Sequence, residues 1–287
     1  MKRRQFLHTS ALATAGFLTL NSCANTKTGK MKIKGDLGLQ LYTLRDSIPK
    51  DPKGIIKKVA SFGYKELETY SYSDGKIFGM PFSEFGSFVK DQGMRVMSGH
   101  YGIDQARGDN WEKAVTDAKS IGQKYMVVPY LADTERKSID DYKKVCESLN
   151  KAGEVCNSNG IRFGYHNHAF EFTTLEGQIP YDVMLAELDP KMVGLEMDIY
   201  WVVRGGQDPL QYFTKYPGRF EQWHVKDMDR NNKDRNADVG TGSIDYVQIF
   251  SKAKESGMEH WYVEQESYPG DPIDSVAACA KYLKDNS

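Results

Sequence analysis

The chain has 287 residues, a formal net charge of −1, and 27% charged against 40% hydrophobic residues. That length suits one large domain or two small ones, and the balanced charge excludes the basic face that nucleic-acid binding needs. Of four cysteines, three lie beyond the first stretch, and no disulfide framework or cysteine metal site follows from them.

The first stretch is not read as fold. Lys2-Arg3-Arg4-Gln5-Phe6-Leu7 is a basic segment with a paired arginine, and residues 11–20 form a short apolar run. The run falls short of the ~20 residues a membrane span needs, and its flanks are those of a signal peptide. The pattern is that of a twin-arginine export signal. Leu20-Asn21-Ser22-Cys23 is similar to a bacterial lipobox, where cleavage leaves a lipidated cysteine. An ordinary signal peptide with a chance cysteine is the alternative. The expected organisation is a signal over 1–22, a polar tether over 23–34 and one domain over 35–287. The expected location is outside the cytoplasm of a bacterium, periplasmic or membrane-anchored through lipid on Cys23. Loss of the signal removes Lys2, Arg3 and Arg4 and no acidic residue, which takes the net charge from −1 to −4.

Short apolar runs then recur at 37–42, 64–69, 95–98 leading into Gly99-His100, 125–128 ending at Pro129-Tyr130, 161–166, 192–198, 220–226 and 261–264. Helical spacing fills the gaps. Residues 52–62 carry Ile55, Ile56 and Val59 on one face. Residues 82–92 carry Phe85, Phe88 and Val89 and stop at Gly93. Residues 111–121 stop at Gly122, 139–157 at Asn159-Gly160 and 181–188 at Asp189-Pro190. The weakest helix is 209–216; 246–256 stops at Gly257, and 273–283 closes the chain. Cys146 and Cys156 lie ten residues apart on one helix, or ~15 Å, too far to pair. Eight strands alternating with eight helices predict an α/β fold, the (β/α)8 TIM barrel. An open doubly wound sheet would usually carry a glycine-rich first turn, and neither Gly99-His100-Tyr101-Gly102 nor Gly240-Thr241-Gly242 has the required frame.

Polar residues gather where the apolar runs end: Gln40, Glu68, His100, His166 with His168, Asp198, His224 with Lys226 and Asp227, and Glu264 with Glu266. In a barrel those ends form the face that carries chemistry. Glu66/Glu68, His166/His168, His224/Lys226 and Glu264/Glu266 are spaced by two, so each pair shares one side of its strand. Glu66 and Glu196 sit deeper and read as barrel filling. Asp227 and Asp229 read as loop caps, and His260, at a strand start, as structural. Trp201 is either core or a ring that grips a sugar. Histidines with carboxylates point to a divalent metal, and two imidazoles with two carboxylates suit Mn, Fe, Co or Zn better than Ca.

The chain resembles the xylose isomerase-like barrel superfamily, the sugar phosphate isomerase/epimerase group, over nearly all of 36–284. The likeness rests on Gly38-Leu39-Gln40-Leu41-Tyr42-Thr43-Leu44-Arg45, Gly164-Tyr165-His166-Asn167-His168, Gly194-Leu195-Glu196-Met197-Asp198, Trp223-His224-Val225-Lys226-Asp227 and Val263-Glu264-Gln265-Glu266. Asp198-Ile199-Tyr200-Trp201 followed by Gly205-Gly206-Gln207-Asp208-Pro209 also fits. The resemblance implies one metal held from strands five to eight, here by His166, Asp198, His224 and Glu264. The family usually has Glu where His166 stands. That departure keeps a ligand but removes one of the two carboxylates that epimerases use.

The resemblance also implies chemistry through an enediolate next to a carbonyl, with Glu264, Glu266, His168 and Lys226 as candidate proton carriers. Gln40, Glu68, His100, Trp201 and Arg204 are the candidate substrate contacts. The preferred expectation is a metal-dependent isomerase or epimerase on an unphosphorylated sugar or keto-sugar, because only Arg45 and Arg204 are rim arginines. The first rival is a lyase or dehydratase on a keto-sugar, keto-glycoside or inosose. The second is a carbohydrate-binding lipoprotein without catalysis. Nuclease activity is disfavoured by the missing basic face. The expected partner is a small carbohydrate, with no nucleic acid, and a homodimer is allowed.

Overall fold

The computed structural model describes residues 30, 31 and 33–287. The expected signal and most of the expected tether lie outside those residues. Eight parallel strands close into one barrel: β1 (Gly38–Gln40), β2 (Glu66–Thr69), β3 (Arg95–His100), β4 (Tyr125–Val128), β5 (Arg162–His166), β6 (Val193–Asp198), β7 (Gln222–Val225) and β8 (His260–Val263). They neighbour one another in chain order, and β8 pairs with β1 to complete the ring. Each strand matches one apolar run because a parallel barrel covers both strand faces, so β2, β4, β6 and β7 are buried throughout. Close approach fixes one glycine in particular. A Cβ on Gly38 would lie 2.4 Å from the Trp261 carbonyl oxygen and 2.6 Å from the Tyr262 ring, so β1 and β8 meet only over a bare backbone.

The helices are α1 (Pro52–Ser61), α2 (Phe82–Asp91), α3 (Ile103–Arg107), α4 (Trp111–Ser120), α5 (Ile139–Ser158), α6 (Pro180–Glu187), α7 (Ile199–Arg204), α8 (Pro209–Lys215), α9 (Tyr246–Ser251), α10 (Ala253–Ser256) and α11 (Pro272–Asp285). Three departures from expectation have local causes. The short α7 starts because the Asp198 carboxylate caps it by accepting from the Trp201 N–H. Its apolar sequence runs on from β6 without a break, which hides it. In α3, Gln105 Oε1 accepts from the Gly102 N–H. The helix expected over 246–256 breaks at Lys252 into α9 and α10.

Part of the expected tether belongs to the barrel. Met31 is buried and its N–H donates to the Asn286 carbonyl at 2.6 Å, while Trp261 Nε1 donates to the Lys34 carbonyl at 3.1 Å. Glu66 lies at the opposite end from the chemistry, paired with Arg95 at 2.5 Å and His260 at 2.8 Å, so both Glu66 and His260 brace the barrel floor. Cys146, Cys156 and Cys279 are free and buried. No helix among the described residues is long and apolar enough to cross a membrane.

Candidate metal centre and active site

The C-terminal ends of the strands bring two histidine–carboxylate quartets together. His166, Asp198, His224 and Glu264 each offer one nitrogen or oxygen, all within 4.8 Å of one another. Glu68, His100, Glu196 and His224 form the second set, with the same limit. His224 belongs to both. Its Nδ1 lies 3.0 Å from Glu264 Oε2 and 3.6 Å from Asp198 Oδ2, while its Nε2 lies 2.7 Å from Glu68 Oε2.

Local structure aims each group. Asp198 spends Oδ1 on the Trp201 N–H at 3.0 Å, which leaves Oδ2 facing His166 Nε2 at 3.4 Å. Asn167 stitches the ends of β5 and β6: its Oδ1 accepts from the Asp198 N–H at 3.2 Å and its Nδ2 donates to the Asp198 carbonyl at 3.4 Å. His166 Nδ1 lies 3.1 Å from the Pro129 carbonyl. That bond places the proton on Nδ1 and turns the Nε2 lone pair toward Asp198. Glu68 is held by Gln40 Nε2 at 2.7 Å and Ser98 Oγ at 2.6 Å, and the Gln40 oxygen accepts from the Tyr42 N–H.

Lys226 is fully buried and its Nζ lies 2.9 Å from Asp198, 2.6 Å from Glu264 and 2.6 Å from Glu266. Burial opposes its charge, but these carboxylates prevail and hold its pKa well above the ordinary lysine value. Burial likewise opposes the charge on Asp198, and Lys226 with the two histidines outweighs it, holding the carboxyl well below its usual range. His168 shows the reverse. Burial, with His166 and the Lys226 ammonium close by, drives its pKa well below the ordinary histidine value, so it is neutral. Its Nδ1 is buried without a hydrogen-bond partner.

A family model for the xylose isomerase-like TIM barrel matches residues 56–285. The chain belongs to that family. Among solved structures, a sugar phosphate isomerase/epimerase from Parabacteroides distasonis ATCC 8503 is 30% identical, with a TM-score of 0.77 over 87% of this chain and 98% of that one. A structure described as the IolI protein with a bound zinc atom is 14% identical, with a TM-score of 0.69 over 88% and 99%, a likeness of fold. An inosose dehydratase from Lacticaseibacillus casei is 26% identical over 163 residues, which is 50% of this chain and 54% of that protein. The chain thus spans about half the length of the first curated relatives it matches. The family includes lyases as well as isomerases and epimerases by these names.

The donor set fits a divalent ion. Two imidazole nitrogens and two carboxylate oxygens within 4.8 Å of one another are donors of the kind such an ion takes, and His166, Asp198, His224 and Glu264 would hold it. A ligating histidine commonly gives its other N–H to a carboxylate or carbonyl. His224 does so to Glu68 and His166 to Pro129.

The cavity above the quartet has a volume of about 490 Å³ and is lined by His100, His166, His168, Glu264 and Glu266 with an aromatic upper wall. Gln40 and Glu68, expected at the substrate, are fully buried beneath it and hold His224 and His100 instead. Arg204 does not turn into the cavity, because Asp234 holds its guanidinium at 2.7 Å. Trp201 packs 5.2 Å from the His168 ring and 5.2 Å from the Lys226 ammonium. Asp227 accepts from the N–H groups of Met228, Gly240, Gly242 and Ile244, a loop anchor as its sequence position allowed.

Three features escaped the sequence. Glu196, read as barrel filling, places Oε2 3.0 Å from His100 Nε2 in the second quartet; its spacing of two from Asp198 was the available signal. Glu171 is fully buried, accepts from the Tyr165 O–H and the His168 N–H, and is pushed by burial up to about 8. Tyr42, Tyr70 and Tyr130 line the cavity, and nothing in their spacing marked them.

Proposed function

We propose that the protein is a divalent-metal-dependent lyase that removes an α-proton from a keto-sugar and expels the β-oxygen substituent. The observation that carries this is the asymmetry of the proton-handling groups. Epimerisation needs an acid–base group on each side of the reacting carbon. Here His166 stands on one side with Nδ1 tied to the Pro129 carbonyl, and it offers only a lone pair to the quartet. The opposite carboxylate, Glu264, is engaged by Lys226 and His224. One unengaged base remains in the cavity, the neutral His168 with its unpartnered Nδ1. One base is enough for elimination.

His166, Asp198, His224 and Glu264 would hold the ion, which when bound supplies Lewis-acid polarisation of a carbonyl and its neighbouring hydroxyl. The rest falls to the protein. His168 takes the α-proton. The electron pair released forms the new double bond as the β-oxygen departs. That oxygen takes its proton from the buried Lys226 ammonium, relayed through the Glu266 carboxylate that lines the cavity. Among the described residues no arginine or lysine lines the cavity, which supports an unphosphorylated substrate. The export-signal pattern at the N-terminus supports the same choice. The curated dehydratase relatives favour elimination, and the isomerase/epimerase name of the Parabacteroides structure supports isomerisation as the second reading.

Turnover of a keto-sugar in deuterated water separates the two. Elimination gives an unsaturated ketone that absorbs in the ultraviolet and has lost the β-substituent. A deuterated isomer that keeps every substituent would displace the lyase assignment.

A further inference from the structure

The upper half of the cavity is built differently from its floor. Tyr42 and Tyr130 are the two large hydrophobic side chains left exposed among the described residues, at 40% and 47%, and both line this one cavity. Isolated exposed apolar residues are ordinary; the convergence of this pair on one opening is not.

Both rings are braced. Tyr42 packs edge-on against Tyr70 at 5.2 Å, with the Arg45 guanidinium 4.8 Å from its centroid. Arg45 is fixed in turn by the Tyr268 hydroxyl and the Glu266 carbonyl. Tyr130 packs edge-on against His168 at 5.2 Å and Phe170 at 5.6 Å, and Arg136 donates to its hydroxyl at 3.3 Å. A guanidinium thus lies over each exposed ring, Arg45 over Tyr42 and Arg136 over Tyr130 at 5.7 Å, and holds it in place at the cavity. Between the two walls, the Tyr70 hydroxyl is buried without a partner. Its neighbour Ser71 has φ +68°, a left-handed conformation that a serine adopts only at a cost. Both residues line the cavity.

We propose that Tyr42, Tyr70 and Tyr130 form an outer subsite for a ring-shaped leaving group, so that the substrate is a glycoside of a keto-sugar and not the free keto-sugar. The proposal rests on the lyase reading and adds the identity of the substituent. A ring with an apolar face stacks on the exposed tyrosines, and the Tyr70 hydroxyl supplies a hydrogen bond to it. The chemistry then fixes the position of the carbonyl. Expulsion of an anomeric substituent needs an acidic proton at C2, and therefore a ketone at C3. The C2 proton passes to His168, the C2–H electron pair forms a C1=C2 double bond, and the C1–O bond breaks. The leaving oxygen takes one proton and departs as an alcohol. The ketone at C3 is retained and nothing is oxidised or reduced.

Two kinds of ring meet this description, a second sugar and an aryl group. Calorimetric titration of the full chain, loaded with Mn, with methyl β-glucoside, cellobiose and phenyl β-glucoside distinguishes them. None of the three carries a ketone, so binding is read without turnover. The expected result is that at least one two-ring ligand binds roughly tenfold more tightly than the methyl glycoside. Preference for cellobiose assigns a sugar, and preference for the phenyl glycoside an aryl group. Tyr42→Ala or Tyr130→Ala should remove the gain, as should Tyr130→Leu, which keeps bulk without a ring. Equal affinity for all three ligands, no binding of any, or a gain that survives every variant would overturn the subsite. Failure of the lyase reading shows separately, as absence of an unsaturated ketone from the C3-oxidised forms of the same glycosides.

Discussion

Replacing Lys226 by methionine should destabilise the protein and make it lean on metal. Its ammonium, fully buried, lies within 2.9 Å of Asp198, Glu264 and Glu266. Asp198 is fully buried, Glu264 nearly so, and Glu266 about one-third exposed. Removing one partner of a buried ion pair costs ~3–5 kcal/mol. Glu266 can turn to water, so the lower end applies, and a domain of this size loses ~2–4 °C in Tm per kcal/mol. Lys226→Met should therefore melt roughly 10 °C below the parent at pH 8 in EDTA. Without Lys226, burial is left to push the Asp198 and Glu264 carboxyls upward, so the deficit should shrink toward pH 5. A divalent ion restores positive charge at the same oxygens. Saturation at ~100 times Kd adds ~2.7 kcal/mol, and the gain should be larger for the variant than for the parent. Scanning calorimetry with EDTA and with Mn measures both. Equal melting of the two proteins in EDTA at pH 8, or an equal metal-induced shift, would refute the reasoning.

Three further outcomes follow from the same geometry. Glu68→Gln removes the carboxylate that receives the His224 Nε2–H at 2.7 Å; chelator competition should show metal affinity ~10–100-fold weaker, and unchanged affinity would remove Glu68 from that role. His168→Gln should lower kcat by at least ~10²-fold while metal affinity in the same competition assay stays put; a mere KM effect would make His168 a binding group. Glu171 sits at about 8 in the fold against a reference of 4.5, so its contribution to stability is complete below pH ~4.5 and is lost as pH rises toward 8. At ~1.4 kcal/mol per unit, a few kcal/mol disappear across that window. Glu171→Gln should flatten the fall in Tm between pH 5 and 8.5, and parallel slopes would contradict this.

The barrel was legible because each strand is buried on both faces and each helix on one, so apolar runs and helical spacing alternate in plain sight. The quartet was legible for a related reason: spacing by two at strand ends sends both members of a pair to one side, as His224 and Lys226 show. What stayed hidden depends on contacts between distant segments. Gln40 and Glu68 occupy strand ends like the others, but the barrel turns them beneath the cavity as supports. Arg204 lay near the rim in sequence, and only Asp234, thirty residues later, decides where its charge goes. Tyr42 and Tyr130 carry no pattern, since exposure of an aromatic ring is a property of the whole mouth. Met31 and Lys34 fall within the expected polar tether, and only their hydrogen bonds to Asn286 and Trp261 show that they contact the fold.

The metal-centre assignment is tested most directly by locating the ion. Crystals of the Mn- or Zn-loaded protein, measured at the metal absorption edge, should show one anomalous peak bounded by His166, Asp198, His224 and Glu264. Absence of a peak, or a peak bounded by Glu68, His100 and Glu196, would contradict the assignment.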